Sequence, residues 1–177
     1  MNFEPLLRRP VHPAIAEAAR YFQELAPGDA LPKRRDYRPT RVRSVLGYIF
    51  LIEVLPDDYC WNLIGEHMAM LFGIDGTNRL LSDFQPQALR ERLKTTYDAV
   101  VTTRSFLFGR GRYTWPDRSM NIERLLVPMA NPEGQLNFIF GVSIPDMPTD
   151  RLAVSSGIGA GSLEIDEQIS GCDLVYA

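Results

Sequence analysis

Apolar positions recur along this chain with two periods, and the order of those periods predicts its elements. Ile15, Ala18, Ala19, Phe22 and Leu25 fall at three- and four-residue spacing, which predicts an amphipathic helix. Pro13 suits its first turn and Pro27-Gly28 ends it. A basic stretch, "LPKRRDYRPTRVRSVLG", follows, with a short helix predicted from Pro39 to Leu46. "YIFLIEVL" is β-branched and aromatic, a strand stopped by Pro56-Asp57-Asp58, and "YCWNLIG" is the second arm of that hairpin. "EHMAMLF" then has helical spacing and stops at "GIDGT". The longest helix lies in "QPQALRERLKTTYDAVVTTRS", where Leu89, Leu93, Tyr97, Val100 and Val101 share a stripe. Three strands close the pattern: "SFLFGRGRYTW", "NIERLLVPM" and, beyond the turn "ANPEGQ", "LNFIFGVSI". In the last, Leu136, Phe138, Phe140 and Val142 share one face and Asn137, Gly141 and Ser143 the other.

Two strands cannot hide their apolar faces alone. The economical arrangement is an α+β domain: one five-stranded antiparallel sheet with the middle helices covering one face, preceded by the N-terminal amphipathic helix. The expected divisions are a helical extension over residues 1–30, the domain over 31–145, and a tail over 146–177. In that tail "LEIDEQI" and "DLVYA" are candidate short strands.

With 177 residues, 45% hydrophobic and 23% charged, the chain fits one globular domain with appendages. A net charge of −3 argues against nucleic acid or an anionic membrane as partner. Cys60 and Cys172 form no CxxC pair and no zinc spacing, so reduced thiols are expected. No apolar run reaches membrane-spanning length, and "MNFEPLLRRP" lacks a signal-peptide apolar region. These features predict a soluble, cytoplasmic protein.

Three stretches carry a resemblance. "LPKRRDYRPTRVRSVLGYIFLIEV" resembles a Leu-Pro-basic-Arg-Asp opening with its following proline and first strand; "CWNLIGEHMAMLFGIDGTNRLLSDF" resembles a strand, glycine, short helix and Gly-Asp-Thr-Gly-like loop; "ERLLVPMANPEGQLNFIFG" resembles a Glu-Arg-Leu-Leu-x-Pro strand, turn and last strand. Together they resemble the PAS domain, in particular a bacterial subfamily of short stand-alone proteins, over Leu31 to Ile144. Asn78 stands where that pattern expects glycine. The resemblance implies a sensory or protein-interaction module, often with a cavity for haem, flavin or a metabolite, and often dimeric through an N-terminal helix.

Each candidate residue has a functional and a plainer reading. His67 lies on the short helix that faces the cavity in a PAS fold, where imidazole ligates haem iron or binds a carboxylate; the plainer reading is a half-exposed helix histidine beside Glu66. Met68 and Met70 are soft ligands or adaptable filler. Cys60 lacks the Asn-Cys-Arg-Phe-Leu context of light-sensing flavin domains and reads as a strand residue. Lys33, Arg34, Arg35, Arg38, Arg41 and Arg43 form either an anion-binding cluster or a solvated face with local partners. Arg110, Arg112 and Arg124 lie on predicted strands; one that points into a cavity would want a carboxylate or phosphate, with Glu53 and Glu123 as candidate internal partners, and the plainer, commoner case is a strand arginine facing water. "GIGAGS" from Gly157 lacks the strand and helix of a dinucleotide fingerprint and reads as linker.

The expected function is a non-enzymatic signalling module, acting in trans on an unidentified signalling protein or through a homodimer. Its ligand would sit between sheet and helices, lined by Leu63, His67, Leu71, Phe84, Tyr97, Phe108 and Phe140, with any cofactor unknown. Ile15, Ala18, Phe22 and Leu25 are the expected dimer contact. No metal site and no catalytic residue is assigned. The rival readings are a pure interaction module with a filled core and a small α+β isomerase or hydrolase.

Overall fold

A computed structural model describes residues 1–28, 30–72, 76–84, 87–115, 118–146, 164–166 and 175–176. Its helices are α1 (Glu4–Leu7), α2 (Pro13–Leu25), α3 (Glu66–Phe72) and α4 (Gln87–Thr103). Its strands are β1 (Ile49–Val54), β2 (Tyr59–Ile64), β3 (Arg79–Leu80), β4 (Leu107–Trp115), β5 (Arg118–Ala130), β6 (Leu136–Pro145), β7 (Glu164–Asp166) and β8 (Val175–Tyr176). They join one sheet in the order β3-β2-β1-β6-β5-β4-β7, with β8 also pairing β4, and every one of these pairings is antiparallel. The five expected strands are its centre. The three short additions β3, β7 and β8 extend its edges, two of them in the tail segments marked as strand candidates.

The N-terminal helix begins at Pro13, with His12 as N-cap: His12 Nδ1 accepts from Ala14 N at 3.2 Å. Between α2 and β1 the chain makes 3₁₀ turns over Arg34–Asp36, Pro39–Arg41 and Arg43–Tyr48, where a short helix was expected. The Tyr21 hydroxyl accepts from Arg38 N at 2.7 Å and ties this segment back to α2.

The sheet is apolar on both faces. On one side Phe50, Ile52, Trp61, Ile139 and Leu126 pack under Leu71 of α3 and Leu93, Tyr97 and Val100 of α4. On the other, Leu51, Phe108, Leu125, Val127, Phe140 and Val142 pack under Ile15, Ala18 and Phe22 of α2. The alternation read along β6 is the cause: successive side chains point to opposite layers. The N-terminal helix therefore shares a core with the sheet, on the face away from α3 and α4.

Candidate functional site

The space between the sheet and α3/α4 is occupied by rings. Phe50 stacks on Trp61 with centroids 5.1 Å apart, Trp61 tilts onto Phe84 at 5.2 Å, and Tyr59 meets Tyr97 edge-on at 5.2 Å. Tyr59 donates its hydroxyl to Asp98 at 2.7 Å. Burial, then the hydrogen bond to that carboxylate, raises its pKa above the ordinary tyrosine value. Arg124 is buried in this layer, donating Nε to Ser143 Oγ at 3.0 Å and a terminal nitrogen to the Tyr113 hydroxyl. The sequence leaves Arg124 either facing water or paired internally with Glu53 or Glu123; it is buried, and the Ser143 and Tyr113 hydroxyls are among its hydrogen-bonded groups.

The seven expected ligand-lining residues do not converge. Leu71, Phe84 and Tyr97 lie in the layer beneath α3 and α4. Phe108 and Phe140 lie in the opposite layer, beneath α2. Leu63 is 40% exposed and pairs with Leu51, a residue of the α2 layer. A β-bulge explains this. The register shifts between Leu51 and Ile52, so that Ile52 opposes Trp61 while Leu51 opposes Leu63. His67 packs on Tyr48, centroids 4.6 Å apart, and against Gly47, where a Cβ would fall inside the imidazole. Met68 is buried inward and Met70 faces out.

The dimer stripe needs the same correction. Ile15, Ala18 and Phe22 are fully buried in the chain's own core, and Leu25 packs against it, because the outer face of the sheet needs an apolar cover. The Cys60 thiol is pushed up by burial and by Glu53 and Asp58, which disfavours thiolate chemistry and fits the strand reading. The basic segment has local partners: Arg35 meets Asp36 at 3.8 Å, Arg41 meets Glu24 at 3.4 Å, and Arg34 lies over Tyr37 and Phe138. Gly157 to Ser162 and Cys172 lie outside the described residues.

A concavity of about 670 Å³ opens on the α2 side of the sheet, past the helix N-terminus. His12, Arg110, Arg112, Asn121, Glu123, Ile144 and Asp146 line it. Arg110 grips Glu123 through Nε at 3.1 Å and a terminal nitrogen at 2.9 Å, and reaches the Pro10 carbonyl. Glu123 Oε2 also accepts His12 N at 2.6 Å, so a β5 carboxylate holds the start of α2. Beside this tether, Arg112 Nε donates to Asn121 Oδ1 at 3.2 Å, and Asn121 donates N and Nδ2 to the two Asp146 oxygens at 3.0 and 2.6 Å.

The family profile described as "PAS domain" matches residues 11–144. The chain belongs to the PAS domain family. The match starts within the segment that leads into α2, so this PAS domain's sequence pattern includes the helix that covers its outer face. Among solved structures the chain is similar to the PAS domain from Bordetella pertussis BvgS, at 17% identity and TM-score 0.43, over 60% of this chain and 78% of that one. No curated protein matches it. Among the described residues no group of three or more His, Cys, Asp or Glu side chains could hold a metal ion, and no helix is long and apolar enough to cross a membrane.

The sequence offers Glu123 as a candidate partner of the strand arginines, which holds for Arg110, but gives no sign of His12, Asn121 and Asp146. The available signal was spacing: Arg110 and Arg112, like Asn121 and Glu123, are two apart on strands and so share a face. Their cross-strand registers, Arg110 with Glu123 and Arg112 with Asn121, make them one site.

Proposed function

We propose that this PAS domain is a non-enzymatic signalling module whose output element is its N-terminal helix. The supporting observation is the two-sided sheet. Residues of β1, β5 and β6 alternate between the layer under α3 and α4 and the layer under α2, so a change of packing on one side alters the seat of α2 on the other. An input that prefers one arrangement shifts the population toward it and changes the surface a protein partner meets. The ring contacts among Phe50, Trp61 and Phe84 in the layer under α3 and α4 favour input by a partner or by a ligand outside it over a large cofactor within it.

Native-state hydrogen exchange tests this reading. A movable output element opens at lower free energy than the strands beneath it. The Ala18–Phe22 amides are expected to exchange through an opening that leaves Leu125–Val127 protected. Exchange of both segments only through one global unfolding event would refute it.

A further inference from the structure

We propose that the groove past the N-terminus of α2 is a binding site for a small oxyanion, held chiefly by the Arg112 guanidinium. The ordinary expectation for a concavity between acidic and basic side chains is a self-neutralised surface. The hydrogen bonds here divide the charges differently. Glu123 is fully engaged, one oxygen on Arg110 and the other on His12 N. Asp146 is engaged at both oxygens by Asn121. The acids are therefore turned into the framework, and Arg110 goes with Glu123.

Arg112 is different. Among the residues whose side chains are described, its one hydrogen bond is from Nε to Asn121 and no carboxylate pairs with it; across the sheet it stands opposite Asp166 of β7. Its two terminal nitrogens keep their donors on an exposed guanidinium that lines the groove. Asp146 fixes Asn121, and Asn121 fixes Nε, so the planar fork is oriented before any ligand arrives. A fixed guanidinium with its terminal donors unengaged is the group that takes a carboxylate or phosphate bidentately. The volume, about 670 Å³, fits a small metabolite and exceeds what a lone inorganic ion needs.

The site also touches the tether. An anion drawn between Arg112 and Arg110 competes with Glu123 for Arg110, and Glu123 is what holds His12 N at the start of α2. Occupancy would thereby loosen the seat of the helix; this coupling rests on the signalling reading above, whereas the binding itself does not.

The test is an amide-resolved NMR titration of the full chain with two probes at low salt, inorganic phosphate and succinate, which separate phosphate from carboxylate preference. Saturable shifts are expected at residues 110–112, 121–123 and 146 for at least one probe. Arg112→Gln should weaken that binding about tenfold or more, as loss of a charge-assisted bidentate contact requires. Arg35→Gln, on the basic segment, should leave it unchanged. Shifts spread over the Arg34–Arg43 segment, no saturable shift with either probe, or equal binding by Arg112→Gln would overturn the site. Exchange at the Ala14–Ala19 amides, recorded in the same samples, reports separately on the coupling: localised shifts with unaltered exchange would keep the site and remove the link to α2.

Discussion

Phe50 and Gly141 face each other across the β1–β6 pairing, and the Phe50 ring occupies the space that a side chain at 141 would need. The same ring stacks on Trp61, so its position is set from two sides. A glycine in a central strand weakens the strand unless something requires close approach, and here the ring requires it. Gly141→Ala is expected to force Phe50 off its rotamer and lower stability by about 1–3 kcal/mol. Urea denaturation measures this; an unchanged midpoint would show that the ring moves freely.

Asn78 and Arg104 both sit in the left-handed region, at φ +60° and +54°. Asparagine visits that region readily and arginine does not. The asparagine found where the family pattern expects glycine thus performs the same backbone task. Asn78→Gly should change stability by no more than a few tenths of a kcal/mol, whereas Asn78→Val should cost about 1–2 kcal/mol. Arg104 follows the last turn of α4, so Arg104→Gly should stabilise by up to about 1 kcal/mol. Thermal denaturation of the three variants checks the ordering; a destabilising Arg104→Gly would mean the arginine side chain is needed more than the backbone is strained.

Phe22 is fully buried, 4.8 Å from Phe140 between ring centroids and stacked at 6.1 Å on Tyr37. Truncation to alanine should cost about 3–5 kcal/mol of stability. Light scattering on the folded fraction should give the same mass as the parent chain. Unchanged stability with a lowered mass would instead restore the stripe as a subunit interface.

Tyr37 supplies a pH dependence. Burial pushes its phenol up to about 12, helped by Tyr21 and opposed by Arg34. A raised phenol pKa means the neutral form is favoured on folding. Its contribution is present in full below pH 10, the ordinary tyrosine value, and is lost as pH rises from 10 through about 12. The Tyr37 hydroxyl is buried with no hydrogen-bond partner among the described residues. Tyr37→Phe should therefore be neutral or stabilising at pH 7 and flatten the fall in melting temperature between pH 10 and 12. An equally steep fall in the variant would assign the alkaline loss to other groups, Tyr59 first.

The sheet was legible in the sequence because its five main strands carry β-branched and aromatic residues between Pro, Gly and Asp stops. Helix α2 was legible for its stripe, but a stripe states only that a partner exists. Phe140 and Val142 could be placed together on one face of β6, yet nothing local says which face looks toward α4. That choice decided the ligand candidates, and Phe108 and Phe140 fell on the other side. Leu63 was lost to a bulge, which alternation alone does not reveal. The groove was illegible for a related reason. It joins His12 to Glu123 over 111 positions, and Arg112 to Asn121 through a hairpin register that sequence spacing leaves undetermined.

With α2 as the output element, the β5 carboxylate of Glu123 controls how firmly that helix sits on the sheet. Glu123→Ala removes the acceptor shared by His12 N and Arg110, a loss of about 1–3 kcal/mol from charge-assisted bonds. Hydrogen exchange followed by mass spectrometry should then show the Ala14–Ala19 amides exchanging about tenfold faster or more, with β1 and β6 unchanged. Equal exchange in parent and variant, or a uniform increase across helix and sheet, would contradict it.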